Sequence, residues 1–414
     1  MAAGWFGTRG PLLRVVAAVA AMALMTACGA GGSGAGPDDS GGGQTAAEPY
    51  RVVYISGQTG PLATPAKAVG RGLQAHVDEL NKKGGINGRP IELIVKDSQS
   101  DPSRSVTLLQ EQLNDGPVDL VVPGTGSNEG LAMAPVLERR KVVGLGVAAS
   151  PVLDDVKKYP YYFSVNALQS DILVAVVEFL KNRGDVERVA VVTADDALGD
   201  AVTAGFKAAA GSDLSVTEVR FKSDSVDLTA TFQQAMDADP DWIFMEGSGA
   251  QIGHMLEGRI KAGAEKVPTV AGGAATGQVN LLQIAKEGQL ESVHGVLMPV
   301  QAYVDPADRG EQFTTMLERI KAQGPLETSL FTYALAWDII GIWSAAVTAA
   351  GDSPDGPALK TALENLKLPE DPQFPIMRNT FSADRHFPRL EPEHFTVGRF
   401  TDFVDGMYVT DTAG

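Results

Sequence analysis

The chain predicts an α/β fold of two lobes, each a mainly parallel sheet flanked by helices. Two observations carry that prediction. From Arg51 onward, short and nearly unbroken apolar runs alternate with helical segments, the pattern of strands whose sheet is covered by helices on both faces. The alternation comes as two successive series of similar extent, before and after about Ala167. Composition agrees: 44% apolar and 21% charged residues in a chain of 414 suit a soluble protein with a sizeable core. About 365 residues remain beyond the amino-terminal segments, enough for two domains or one bilobed unit.

The elements follow in order. Val52 to Ile55 reads as a buried strand, and Val69, Leu73, Val77 and Leu80 mark one face of the next helix by their three-to-four spacing. Gly84-Gly85-Ile86-Asn87-Gly88 breaks that helix, and Ile91 to Val95 forms the second strand. Val106, Leu109 and Leu113 predict a helix, Leu120 to Val122 a strand, Ala132 to Arg140 a helix, and Val142 to Val147 the fourth strand. In the second series the strands are Val189 to Val192, Val216 to Phe221, Trp242 to Met245, Val267 to Ala271 and Val296 to Met298. The region from about Asp308 to Leu366 is mostly helical. Within it, Phe331 to Ala350 is apolar enough for a membrane span, but Asp338 near its centre and the polar Thr332, Tyr333, Ser344 and Thr348 make it a core helix.

The amino terminus has a different character. Arg9 and Arg14 precede an apolar run from Val15 to Ala27, which is a signal-peptide layout and shorter than the roughly 20 residues of a membrane-spanning helix. Leu24-Met25-Thr26-Ala27-Cys28 resembles the lipobox of bacterial lipoproteins, which implies cleavage before Cys28 and a diacylglycerol on its sulfur. The alternative is an ordinary signal peptide that happens to hold a cysteine; Cys28 is the sole cysteine and has none to pair with. Residues 1–27 are expected as the signal peptide and 28–48 as a flexible Gly/Ser/Ala-rich tether. The mature protein is then extracytoplasmic and lipid-anchored to the bacterial cell membrane.

Several chemistries are excluded. A net charge of −17 opposes nucleic acid as a partner, because phosphate binding needs clustered Lys and Arg. Gly124, Gly126 and Gly130 follow a strand, yet their spacing departs from a dinucleotide loop and no phosphate-binding GxxxxGK[ST] occurs. The five histidines (His76, His254, His294, His386, His394) make no close ligand pair. No nucleophile elbow is present, and adjacent Asp195 and Asp196 read as solvated. Neither an enzyme nor a cofactor is expected. Two serines stand out: Ser127 at the start of a helix and Ser150 before Pro151. Each would offer a hydroxyl and backbone N–H groups at the carboxyl edge of the sheet, where open α/β sheets bind ligands and helix N-termini favour carboxylates. The competing reading makes both simple helix caps.

A wider pattern joins these pieces. Gly57-Gln-Thr-Gly60-Pro61-Leu, Gly70-Arg-Gly72, Asn81-Lys-Lys-Gly84-Gly85-Ile-Asn-Gly88-Arg and Asp97-Ser-Gln-Ser-Asp101-Pro102, with Val226-Asp227, Pro240-Asp241-Trp and Phe381-Ser-Ala-Asp384-Arg-His-Phe, resemble the solute-binding proteins of branched-chain amino-acid and amide ABC transporters. The resemblance runs from about Tyr50 to Val409. It implies a type I periplasmic-binding architecture with three hinge crossings, near Ala167, Val300 and Met377. The first lobe would comprise 49–168 plus 301–377, and the second 169–300 plus 378–414. It also implies that Ser127 and Ser150 hold a ligand carboxylate and that the Ala148 backbone accepts from an ammonium.

The second lobe departs from the pattern. Leu198 and Ser248 stand where the family has aromatic residues, Gly273 where it has the acid that pairs with the ammonium, and Pro65 where an aromatic often lines the pocket. Glu246, Asp195 or Asp196 would have to supply a replacement carboxylate, or the ligand lacks a free amine, since an unpaired buried ammonium is costly. The resemblance thus implies a monomeric receptor that passes an amino acid, amide or small carboxylate to an ABC permease. A sensor signalling to a membrane partner would use the same fold.

Overall fold

Val52, Val53, Tyr54 and Ile55 are fully buried in β1 (Tyr50–Ser56), which lies inside the first of two sheets. The computed structural model describes residues 48–278, 280–351, 353–367 and 381–411. The expected signal segment, Cys28, the tether up to residue 47 and the crossing near Met377 lie outside the described residues.

From β1 the chain passes through α1 (Ala63–Lys82), β2 (Ile91–Asp97), α2 (Pro102–Asp115), β3 (Leu120–Pro123), α3 (Ser127–Arg140), β4 (Gly144–Gly146) and β5 (Tyr162–Ser164). These strands form a parallel sheet in the order β2-β1-β3-β4-β5. The next series is α4 (Gln169–Asn182), β6 (Arg188–Ala194), α5 (Ala197–Ala210), β7 (Ser215–Phe221), α6 (Thr229–Met236), β8 (Trp242–Glu246) and α7 (Gln251–Lys261). It continues with β9 (Thr269–Ala271), the short α8 (Gly273–Gly277) and α9 (Leu281–Ile284), and β10 (Val293–Leu297). Then α10 (Glu311–Lys321), α11 (Leu330–Ala350) and α12 (Gly356–Glu364) pack on the first-sheet side, before β11 (Thr396–Val404) and β12 (Met407–Asp411) complete the second sheet. Its order is β12-β11-β10-β9-β8-β6-β7.

In both sheets the strand order reverses beside the first strand, as β2-β1-β3 and as β7-β6-β8. Loops leaving the carboxyl ends on either side of that reversal diverge and leave a crevice, the usual ligand position in open α/β sheets. Local chemistry places the helices that follow. Asp101 caps α2 by accepting from Ser103 N at 2.7 Å and Arg104 N at 3.1 Å, with Pro102 pre-set as the first helical residue. Asp196 caps α5 through Gly199 N at 2.9 Å.

Three strands escape sequence reading. β5 is only three residues long, and β11 carries the exposed Arg399, Thr401 and Asp402 along an antiparallel pair with β12, which strand–helix alternation does not predict. One segment also sits elsewhere than expected. Phe381 and His386 pack on Phe163 of β5, at 5.1 and 3.8 Å between ring centroids. His386 N donates to Asp154 at 2.8 Å, and the His386 carbonyl accepts from Ser164 N at 3.0 Å. Residues 381–387 therefore lie against the first sheet, not with the second lobe, because these rings find their apolar partner there; the chain joins the second sheet at β11.

The apolar helix α11 is a core element: 78% of its most apolar stretch is buried. It lies against α1, with Trp343 packed edge-on to Tyr50 of β1 at 5.6 Å. Gly72 sets how closely α1 approaches, since a Cβ there would stand 2.3 Å from the Tyr333 carbonyl oxygen and 2.7 Å from Ala336 Cβ. At Gly70 the nearest atom to such a Cβ is Tyr54 Cε1 at 3.5 Å, an ordinary contact. Gly72→Ala should therefore destabilise by roughly 1–3 kcal/mol, whereas Gly70→Ala should be neutral or stabilise by up to about 1 kcal/mol through helix propensity. Urea unfolding of the two variants measures the contrast, and equal effects would contradict the close packing of α1 on α11.

Candidate functional site

A cleft with about 620 Å³ of empty space, counting its open mouth, lies between the carboxyl edges of the two sheets. Residues at the starts of six helices reach it: Pro65 of α1, Ser127 of α3, Gln169 of α4, Leu198 of α5, Gly273 and Ala274 of α8, and Phe331 of α11. The first N–H groups of a helix have no partner within it, and the aligned peptides add about half a positive charge there. Among the described residues, no Asp, Glu, Lys, Arg or His side chain lines this cleft. Val69, Ile172, Met298, Phe331 and Leu335 supply an apolar body, and Thr125, Ser127, Asn166, Gln169, Ser248 and Gln278 the polar points.

The α3 end is braced from behind. Glu129 is buried, with Oε1 accepting from Ser98 Oγ at 2.5 Å and Ser105 Oγ at 3.2 Å, and Oε2 accepting from Gly126 N at 3.4 Å. Gly126 is the cap residue, so Ser127 is the first residue inside the helix, not its cap. Ser150 precedes a 3-10 turn, Pro151–Asp154, but its hydroxyl makes no cap bond. That hydroxyl is buried and has no hydrogen-bond partner among the described residues. Ser150 and Ala148 stand beside the cleft while their neighbours Val147 and Ala149 line it. The Ala148 carbonyl accepts from Ser164 Oγ at 2.8 Å.

On the second-sheet side, Leu198, Ser248 and Gly273 all line the cleft. A side chain at position 273 would meet Ile172 Cδ1 at 2.9 Å, so apolar bulk occupies the place of an acid. Glu246 lies one layer behind the wall. It is 1% exposed at the end of β8, accepting from Ala275 N at 3.1 Å, Ala274 N at 3.4 Å and Gln169 Nε2 at 3.3 Å. Its carboxylate is thus engaged in holding the start of α8, and burial pushes its pKa up to about 7 against those bonds. Asp195 is exposed beside Arg220, and Asp196 is occupied as the α5 cap and faces a wider opening at the mouth.

Sequence reasoning missed Asn166, Gln169, Ile172 and the α11 residues Phe331, Thr332 and Leu335. The first three flank the Ala167 crossing, and α11 arrives from a distant part of the chain. Thr332 Oγ1 and Thr328 Oγ1 donate to the Gly277 carbonyl at 2.5 and 3.1 Å, tying α11 to the end of α8. Across the mouth, Gly249 at φ +55° lies so close to Pro61 that a Cβ would stand 2.3 Å from its carbonyl oxygen.

The chain belongs to the periplasmic binding protein family, whose model matches residues 49–390. Its relatives are solute-binding proteins and not enzymes, and the family places the protein outside the cytoplasm. The Leu/Ile/Val-binding protein BraC3 of Rhizobium johnstonii is 29% identical over 196 residues, 43% of this chain. The chain spans about half, 52%, of that relative's length. A Leu/Ile/Val-binding protein homolog 3 of Brucella melitensis is 23% identical over 76% of this chain and 83% of its own. Among solved structures, a solute-binding protein of an ABC transporter from Rhodopseudomonas palustris, in complex with 3,4-dihydroxybenzoic acid, superposes with a TM-score of 0.70 at 20% identity, covering 87% of this chain and 96% of that one. The branched-chain amino acid transporter substrate-binding protein LivJ of Streptococcus pneumoniae, in complex with isoleucine, gives 0.70 at 19% identity over 88% and 100%. These likenesses establish a type I periplasmic-binding fold.

Glu246 yields a pH prediction. Its folded pKa, about 7, lies above the ordinary 4.5, so between those values the folded protein keeps a proton that the unfolded chain releases. Stability from this group is full below about pH 4.5 and is lost as pH rises through 7. At about 1.4 kcal/mol per unit of pKa difference, the loss amounts to a few kcal/mol. Glu246→Gln should flatten this fall, so thermal unfolding at pH 5 and pH 8 should show the variant gaining on the wild type at pH 8. An unchanged difference between the two would contradict the buried carboxyl.

Proposed function

We propose that the protein is the receptor of an ABC importer and that its ligand is a small carboxylic acid with an apolar body and no free ammonium. One observation carries this reading: six helix starts converge on a cleft that, among the described residues, no charged side chain lines. Such a site offers partial positive charge and N–H donors to a carboxylate. It offers no counter-charge to an ammonium, whose burial unpaired costs several kcal/mol. Ser127 and Ser150 hydrogen-bond the carboxylate, and the orphaned, buried Ser150 hydroxyl gains the partner it lacks. The Ala148 carbonyl, which would have served an ammonium, already accepts from Ser164. Leu198, Ser248 and Gly273 close the far wall. The relative solved with a dihydroxybenzoic acid is a fold precedent for a carboxylate without an amine.

The lobes close about crossings near Ala167 and Val300, with a third between Leu390 and Thr396, where the chain passes from the first sheet's flank to β11. Cys28 anchors the receptor through a diacylglycerol, two chains binding far more firmly than one at about 0.8 kcal/mol per buried methylene. Cys28→Ser should move the protein from the membrane fraction to the soluble fraction of fractionated cells; continued membrane retention would sink the anchor. A thermal-shift panel of aliphatic and aromatic carboxylates, amides and amino acids tests the ligand class. Ser127→Ala and Ser150→Ala should each weaken the best carboxylate by roughly 1–3 kcal/mol. Unchanged affinity in both would remove them from the site.

A further inference from the structure

Three side-chain amides line the cleft; in Asn166 and Gln169 the nitrogen is committed to the protein, whereas Gln278 commits its oxygen, Oε1 accepting from Gly249 N at 3.0 Å. Asn166 Nδ2 donates to the Val147 carbonyl oxygen at 2.9 Å. Gln169, only 1% exposed, donates from Nε2 to Glu246 Oε2 at 3.3 Å. Flipping either amide would set its oxygen against another oxygen, so the bonding network fixes both orientations. Glu246 has no freedom to turn away, because the same carboxylate accepts from the first N–H groups of α8. The amide oxygens are what remains. Asn166 Oδ1 is buried and has no hydrogen-bond partner among the described residues, an unfavourable state unless something donates to it.

We infer that Asn166 and Gln169 form an acceptor pair that selects ligands carrying a neutral hydrogen-bond donor in addition to the carboxylate, with Glu246 as the positioning residue that holds Gln169 in its accepting orientation. The inference rests on the carboxylate reading of the cleft and narrows it to hydroxy- or amide-bearing acids. A hydroxyl or amide N–H satisfies the pair without bringing charge into a site that has no counter-charge. An apolar substituent leaves Asn166 Oδ1 buried and unpaired and gives Gln169 Oε1 no donor, and sites built to bond a hydroxyl reject analogues that lack it.

Titration calorimetry of the full chain at pH 8, where the Glu246 carboxyl is ionised, tests this with benzoate, 4-hydroxybenzoate, 3,4-dihydroxybenzoate and leucine. At least one hydroxybenzoate should bind roughly tenfold or more tightly than benzoate. Gln169→Leu should erase most of that ratio, read as hydroxybenzoate against benzoate within the variant itself. Glu246→Gln should narrow the ratio, a change that a purely structural role would not produce; thermal unfolding checks that both variants fold. Equal binding of benzoate and both hydroxybenzoates by the wild type overturns the acceptor pair and leaves the carboxylate reading standing. A hydroxyl preference that survives in folded Gln169→Leu overturns the role of Gln169. Leucine binding above all three acids, or no acid binding at all, overturns both readings.

Discussion

The convergence of helix starts on a space that no charged side chain of the described residues lines is the constraint on which the rest of the site depends. Each sheet places its switch point at its carboxyl edge, and the chain turns from strand to helix there, so helix starts collect in one crevice. Some of their first N–H groups are already held by Asp196, Glu246 and Ser329. A protein can neutralise such a field with acids or leave it for a ligand. Here the two nearby buried acids, Glu129 and Glu246, each accept backbone N–H groups at one helix start from behind. They stiffen the walls of α3 and α8, and neither lines the cleft.

Glu246 links three levels of the structure. It ends β8, holds the first turn of α8 and fixes the Gln169 amide, so one side chain joins the second sheet, the cleft wall and the start of α4 at the Ala167 crossing. Burial raises its pKa to about 7, so this junction behind the cleft wall changes protonation near neutral pH. The Thr328 and Thr332 bonds to Gly277 tie the other end of α8 to α11. This short helix is therefore held at both ends by different parts of the chain.

The central parallel strands β1, β3, β6 and β8 were legible because they are buried on both faces and read as unbroken apolar runs. The edge strands β2 and β7 are half-exposed and were legible from their place in the strand–helix alternation. β5 was too short, and β11 and β12 were too polar, to carry that signal. The site was legible on the first-sheet side, where Ser127 follows a recognisable strand and its glycines. It was harder to read on the second: Gly273 marks a loss, but nothing in the sequence says that Ile172 fills the place or that Glu246 faces α8. Asn166 and Gln169 gain meaning only through their partners Val147 and Glu246, which lie 19 and 77 positions away in the chain. Local pattern does not report which atom of an amide is already occupied.

Calorimetry of leucine against 2-hydroxy-4-methylpentanoate, which differ only in ammonium versus hydroxyl, isolates the central claim that the cleft has no place for a buried ammonium. The account predicts that the hydroxy acid binds at least about tenfold more tightly, a difference of about 1.4 kcal/mol. Tighter binding of leucine would contradict it.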